Sequence, residues 1–61
     1  MWAAFVRRSP EAEWRLEALS VLGADRARAL AEREHARHSV VGAEFRVLAY
    51  ASTREIPGRL E

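Results

Sequence analysis

Glu34, His35 and His38 are the residues whose types and spacing come closest to a chemical site. Two histidines three positions apart on one helix can bind the same metal ion. Such a site needs further ligands from elsewhere, and the chain has no cysteine to supply one. The order of the residues also differs from the His-Glu-x-x-His motif of zinc hydrolases. We therefore expect no metal site, with His35 exposed to solvent and His38 near the end of a helix.

The other candidate catalytic groups do not indicate an enzyme either. No serine lies in a Gly-x-Ser-x-Gly motif or has a recognisable base and acid arranged around it; the serines are Ser9, Ser20, Ser39 and Ser52. There is no glycine-rich phosphate loop, because the three glycines are scattered singly, as Gly23, Gly42 and Gly58. We expect a non-catalytic protein without a cofactor.

The arginine residues are the feature that suggests nucleic-acid binding. All ten basic residues are arginine, and five of them are candidates for contacts with phosphates: Arg7, Arg8, Arg26, Arg33 and Arg37. Acidic residues are interspersed among them, however, and the net charge of the chain is only +1. Paired charges on a solvated helix are the commoner meaning of such a pattern. Nucleic-acid binding is therefore the alternative prediction.

Length and composition restrict the class of protein. Sixty-one residues form one small domain, 1–61, and a monomer of this size buries little apolar surface. Hydrophobic residues make up 49% of the chain and charged residues 31%, as is typical of a folded protein. The longest apolar run is Trp2–Val6, and no secretory signal is recognisable. We expect a soluble cytoplasmic protein without a membrane partner, and the lack of Asn, Gln and Cys fits a thermophilic source.

Two segments carry the signature of β-strands. Residues 1–8 are rich in aromatic and β-branched side chains, which suit a half-buried sheet. Residues 43–52 alternate with a period of two, so that Phe45 falls on one side and Tyr50 on the other. The segment that follows, 53–61, contains a Pro-Gly turn signal and many charges, and we expect it to be a loose tail.

Residues 25–38 are rich in Ala, Leu, Arg and Glu and predict a helix. Asp25 is expected to cap its first free amides. The side that faces the sheet is predicted to consist of Ala27, Leu30 and Ala31, with Glu34 and His38 at its lower end. A stripe made mostly of alanine lets a helix approach a sheet closely but buries little area.

The segment Ser9–Gly23 allows two interpretations, and the fold depends on which is correct. In one, Ser9 caps a helix that begins at Pro10 and ends at Gly23. In the other, a type I turn at residues 9–12 is followed by a strand in which Trp14, Leu16 and Ala18 point one way. We favour the second, because polar and apolar residues alternate without a break from position 13 to 18.

The predicted fold class is α+β, with the order β-β-α-β, a three-stranded antiparallel-type sheet and one helix; the alternative is β-α-α-β with two strands. The core is expected to contain Trp2, Phe5, Trp14, Leu16, Leu30, Phe45 and Val47. Such a thin core and an open strand edge at residues 44–52 favour self-association. The predicted function is a self-associating, non-catalytic protein-interaction module, for which the candidate partners are a second copy of itself and another protein. Its candidate contact residues are Trp2, Trp14, Phe45 and Tyr50.

Overall fold

The computed structural model describes residues 1–36 and 42–60. Its elements, in chain order, are β1 (Trp2–Arg7), β2 (Trp14–Ser20), α1 (Ala24–Ala36), β3 (Glu44–Ala49), a 3-10 turn (Thr53–Glu55) and β4 (Arg59–Leu60). The predicted α+β class and the order β-β-α-β are confirmed, and the alternative with two helices is wrong. The last two positions of the predicted helix, including His38, lie outside the described residues.

Within the described residues the sheet has four antiparallel strands in the order β3-β1-β2-β4, so the prediction of three strands was one short. In the additional strand, β4, Leu60 lies opposite Trp14 and Arg59 opposite Arg15. This strand falls in the segment that we predicted as a loose tail. Two residues are too few to show an alternation of polar and apolar side chains, so the sequence pattern did not indicate β4.

The hairpin between β1 and β2 is closed by the turn that the sequence predicted. The amide of Ala12 donates a hydrogen bond to the carbonyl oxygen of Ser9, at 3.0 Å. Pro10 occupies the second position of this turn, where its fixed φ angle is favourable. The hairpin interpretation of Ser9–Gly23 is therefore confirmed.

The helix α1 begins one residue earlier than predicted. The amide of Ala27 donates to the carbonyl oxygen of Gly23 at 3.1 Å, which places Gly23 in the capping position. Gly23 has a φ angle of 144°, which residues with a side chain rarely adopt. Asp25 is therefore not the cap but a first-turn acid, where its charge is favourable to the helix dipole.

The helix packs on one face of the sheet through small residues. Ala4 of β1 and the helix residues Ala27 and Ala31 are fully buried and in contact with one another. Half-buried side chains pack around them: Trp2, Ala18, Phe45 and Val47. Leu30, predicted to face the sheet, is 40% exposed, because the buried side of α1 is centred on Ala27, Ala31 and His35 instead.

The opposite face of the sheet has a smaller core around Phe5, the largest fully buried side chain. Phe5 follows Ala4 in β1 and so points away from the helix. The ring of Tyr50 lies edge-on to that of Phe5, at 6.4 Å between centroids. Because β3 and β4 are at opposite edges, the segment between them must cross the sheet, and Gly58 of this segment accepts a hydrogen bond from the amide of Leu16 at 3.0 Å.

A β-bulge between β1 and β2 interrupts the alternation that the sequence predicted for β2. Ala4 lies opposite Ala18 but Phe5 lies opposite Leu16, so β2 has one additional residue, Glu17, at this point. Ala18 consequently faces the helix and Leu16 the other side of the sheet. The sequence predicted that both would share a face, because an unbroken alternation contains no signal for a bulge.

Candidate functional site

The four aromatic residues predicted to form an interface are all half-buried within the described chain. Trp2 and Phe45 pack around the alanines beneath the helix, and Tyr50 lies against Phe5 on the other face. The guanidinium of Arg7 lies over the ring of Trp14, at 4.5 Å from its centroid. The structure therefore divides the four aromatic side chains between two faces and does not bring them together on one surface.

The outer edge of β3 is the most extensive unpaired backbone in the described sheet. Among the described strands, β3 pairs with β1 alone, through six residues without a register shift. The amide of Tyr50, just after β3, donates to the carbonyl oxygen of Met1 at 2.8 Å. Since backbone groups alternate in direction along a strand, the amides and carbonyls of Phe45, Val47 and Ala49 point away from β1. This edge, called the β3 edge below, can accept another strand.

The two charged residues of β3 lie on the face opposite the helix. Glu44 is across from Arg7 of β1, and the Nε of Arg7 donates to Oε2 of Glu44 at 2.7 Å. Arg46 is across from Phe5 and is exposed. Within residues 1–36 and 42–60, Arg46 forms no ion pair, so one of the two charges at the β3 edge lacks a partner.

A second candidate surface is apolar and lies where β2 leads into the helix. Val21 is 73% and Leu22 75% exposed, and Leu19 and Leu30 flank them. The amide of Leu22 donates to the hydroxyl oxygen of the buried Ser20 at 3.0 Å, which fixes this connection. This patch was not predicted from the sequence. The signal for it was the presence of two branched apolar residues next to Gly23, in a connecting segment.

A cleft of about 610 Å³ lies between the β1–β2 connection and the end of α1. It is lined by Val6, Ala12 and His35 together with three arginines and three glutamates: Arg7, Arg8, Arg15, Glu11, Glu13 and Glu17. The charges balance, so the cleft does not favour an anionic or a cationic ligand.

His35, predicted to be exposed to solvent, is buried. Its ring lies at a right angle to that of Phe45, 5.8 Å between centroids. Its Nε2 atom has no hydrogen-bond partner in the part of the chain that the structure describes. The helical position explains this result, since His35 follows Ala31 by four residues and lies on the same side of α1.

We expect that replacing His35 by leucine raises the free energy of unfolding by about 1 kcal/mol, because it removes a buried polar atom without a partner. His35→Ala is the control and should lower it by about 1 to 3 kcal/mol, because it leaves a cavity. Urea denaturation at one protein concentration measures both values. A less stable His35→Leu variant would contradict this account of the imidazole.

The arginine residues predicted to contact nucleic acid do not form one surface. Arg7 is bound to Glu44 and Trp14 on the face away from the helix, whereas Arg26 and Arg33 are exposed on α1. Arg8 is exposed beyond the end of β1, and Arg37 lies outside the described residues.

The part of the chain that the structure describes contains no candidate metal site and no candidate membrane span. No three His, Asp or Glu residues within it are grouped so that they could hold a metal ion. None of its helices has the length and apolar character needed to cross a bilayer. Compared with known proteins, the chain matches no protein-family model, no curated protein and no solved structure.

Proposed function

We propose that this chain is a small, non-catalytic, cytoplasmic protein-interaction module that associates with itself through the β3 edge. The observation that carries the proposal is the row of outward-pointing backbone groups on Phe45, Val47 and Ala49. A strand of a second copy that pairs with this edge would satisfy these groups with hydrogen bonds and continue the sheet.

The β3 edge lacks several of the features by which sheets commonly prevent such pairing. It contains no proline and no lysine, its register with β1 is free of bulges, and its two charged residues, Glu44 and Arg46, have opposite signs. Six residues are long enough to form a ladder with another strand. The edge is therefore open to another strand rather than protected against it.

The size of the core supports self-association. Among the described residues six hydrophobic side chains are buried, and four of these are alanine. Burial of alanine removes little apolar area from water and therefore stabilises the fold little, since each Å² contributes about 25 cal/mol. A second copy next to β3 would cover more of Phe45 and Val47, which are half-buried in the single chain. Phe45 is thus the predicted contact residue that lies on the proposed interface.

Val47→Pro tests the proposal, and Val47→Ala is its matched control. Proline removes an outward-pointing amide and places a ring carbon at the edge, while the hydrogen bonds from β3 to β1 are kept. Alanine removes the same packing against the core but keeps the amide. We expect Val47→Pro to be monomeric at concentrations where the unchanged protein and Val47→Ala are dimers, as measured by size-exclusion chromatography with light scattering.

Circular dichroism of both variants shows whether they remain folded. An unchanged protein that is monomeric at every concentration would contradict the proposal, and so would a folded Val47→Pro variant that remains a dimer. Nucleic acid that copurifies with the protein and is removed by salt would favour the alternative function instead.

A further inference from the structure

The charges of β3 determine how two copies can pair. Glu44 and Arg46 are two positions apart, so their side chains are on the same face of the sheet and at the same edge. Glu44 already has Arg7 on its inner side, but its outer side, toward the open edge, has no neighbour in the described sheet. Arg46 forms no ion pair with any residue of the described ranges. A partner strand can therefore supply each of them with an opposite charge.

Antiparallel pairing of two identical strands has a two-fold axis at one residue, and each choice of axis brings different charges together. An axis at Glu44 places the two Glu44 side chains opposite each other, and an axis at Arg46 does the same for the two arginines. Axes at Val47 or Leu48 place the charged residues opposite uncharged ones. Only an axis at Phe45, among positions 44 to 48, places Glu44 of each copy opposite Arg46 of the other. Opposite charges directly across from each other stabilise a strand pair, and like charges destabilise it.

We propose that the partner of the β3 edge is a second copy of this chain, paired antiparallel with Phe45 opposite Phe45. This inference rests on the proposed function and specifies its register. The two copies then form one sheet of eight strands, four from each, with both helices on the same face. In each half, Glu44 lies between Arg7 of its own chain and Arg46 of the second copy.

The backbone geometry agrees with this register. The amide and carbonyl of Phe45 point outward, so the central pair exchanges two hydrogen bonds. The neighbouring pair, Glu44 with Arg46 of the second copy, is then a pair without hydrogen bonds. In such pairs the Cα atoms are only about 4.5 Å apart, and side chains are closest. The register therefore places the opposite charges where they interact most strongly.

Two charge-reversal variants test the register. In Glu44→Arg, residues 44 and 46 are both arginine, and in Arg46→Glu both are glutamate, so each variant repels its own copy. In a dimer that contains one copy of each variant, residues 44 and 46 of one copy are arginine and those of the other are glutamate. Each of these residues then lies opposite a residue of the opposite charge. We expect each variant alone to dimerise at least about tenfold more weakly than the unchanged protein, and the mixture to dimerise at least about tenfold more tightly than either variant alone. The mixture does not regain the full original affinity, because Glu44→Arg also loses its ion pair with Arg7.

Light scattering of each variant and of their equimolar mixture gives the three affinities. Variants that dimerise as well alone as in the mixture would overturn the register. An unchanged protein that never dimerises would instead overturn the proposed function itself, so the two failures are distinguishable.

Disulfide cross-linking provides a second test, which shows directly which residues lie opposite each other. The chain contains no cysteine, so an introduced cysteine can form a disulfide only with another introduced cysteine. We expect Glu44→Cys mixed with Arg46→Cys to form a cross-linked pair between the two different chains under mild oxidation, since directly opposite Cβ atoms are close enough for a disulfide. Cross-linking of Arg46→Cys alone would place the axis at Arg46, and cross-linking of Glu44→Cys alone would place it at Glu44. Either result overturns the proposed register while it supports pairing along β3.

Discussion

Phe5→Ala is expected to leave most of the protein unfolded at room temperature. Phe5 is the largest fully buried side chain of the described structure, and it holds Tyr50 against the sheet. Removing a buried phenylalanine side chain lowers the free energy of unfolding by about 3 to 5 kcal/mol. A single core of this size rarely supplies more than that amount. Circular dichroism during a urea titration measures the loss.

Two further variants keep this prediction testable if Phe5→Ala does not fold at all. Phe5→Leu retains most of the volume and should remain folded, with a measurable but smaller loss. Leu22→Ala is the control for a large apolar residue outside the core, because Leu22 is 75% exposed, and it should change stability by no more than about 0.5 kcal/mol. A Phe5→Ala variant as stable as Leu22→Ala would show that the second face has no core.

Ala31→Leu is expected to lower the free energy of unfolding by about 1 to 3 kcal/mol, because larger side chains in a packed core force the backbone apart. Ala31 is fully buried against Ala4 and Ala27, so an added side chain must push the helix away from the sheet. The same substitution at Ala29, which is exposed on α1, is the matched control. Leucine and alanine have similar helix propensities, so Ala29→Leu should be nearly neutral.

Thermal and urea unfolding of the two leucine variants, at one protein concentration, measure the difference between them. Equal midpoints for Ala31→Leu and Ala29→Leu would mean that the alanines do not set the distance between helix and sheet. Because β3 also packs beneath the helix, through Phe45 and Val47, we further expect Ala31→Leu to weaken the proposed dimer.

The class of the fold and most of its elements could be predicted from the sequence. The alternation around Phe45 indicated β3, and the unbroken alternation from position 13 to 18 indicated a hairpin instead of a first helix. These patterns are visible because they repeat over six or more residues. The prediction that residues 44–52 lie at an open edge is confirmed for β3, whose six residues pair with β1 alone in the described sheet.

The features that the sequence did not predict depend on single residues or on distant contacts. The bulge at Glu17 shifts the register by one residue and leaves no trace in the pattern. β4 exists because Arg59 and Leu60 meet β2, more than forty positions earlier in the chain. The burial of His35 required knowledge of which side of α1 meets the sheet, and with so many alanines the apolar side of that helix is poorly defined.

The order β3-β1-β2-β4 also has a consequence for the kinetics of folding. Only the hairpin of β1 and β2 joins neighbouring segments, whereas β3 must find β1, and β4 must find β2, across large loops. Closing such loops costs conformational entropy before the contacts between the strands can form. Sheets of this kind therefore fold more slowly than helical proteins of equal length. Until β3 arrives, the central strand β1 is itself an open edge. The middle of the sheet is thus covered during folding by the same strand whose outer edge we propose to bind a second copy.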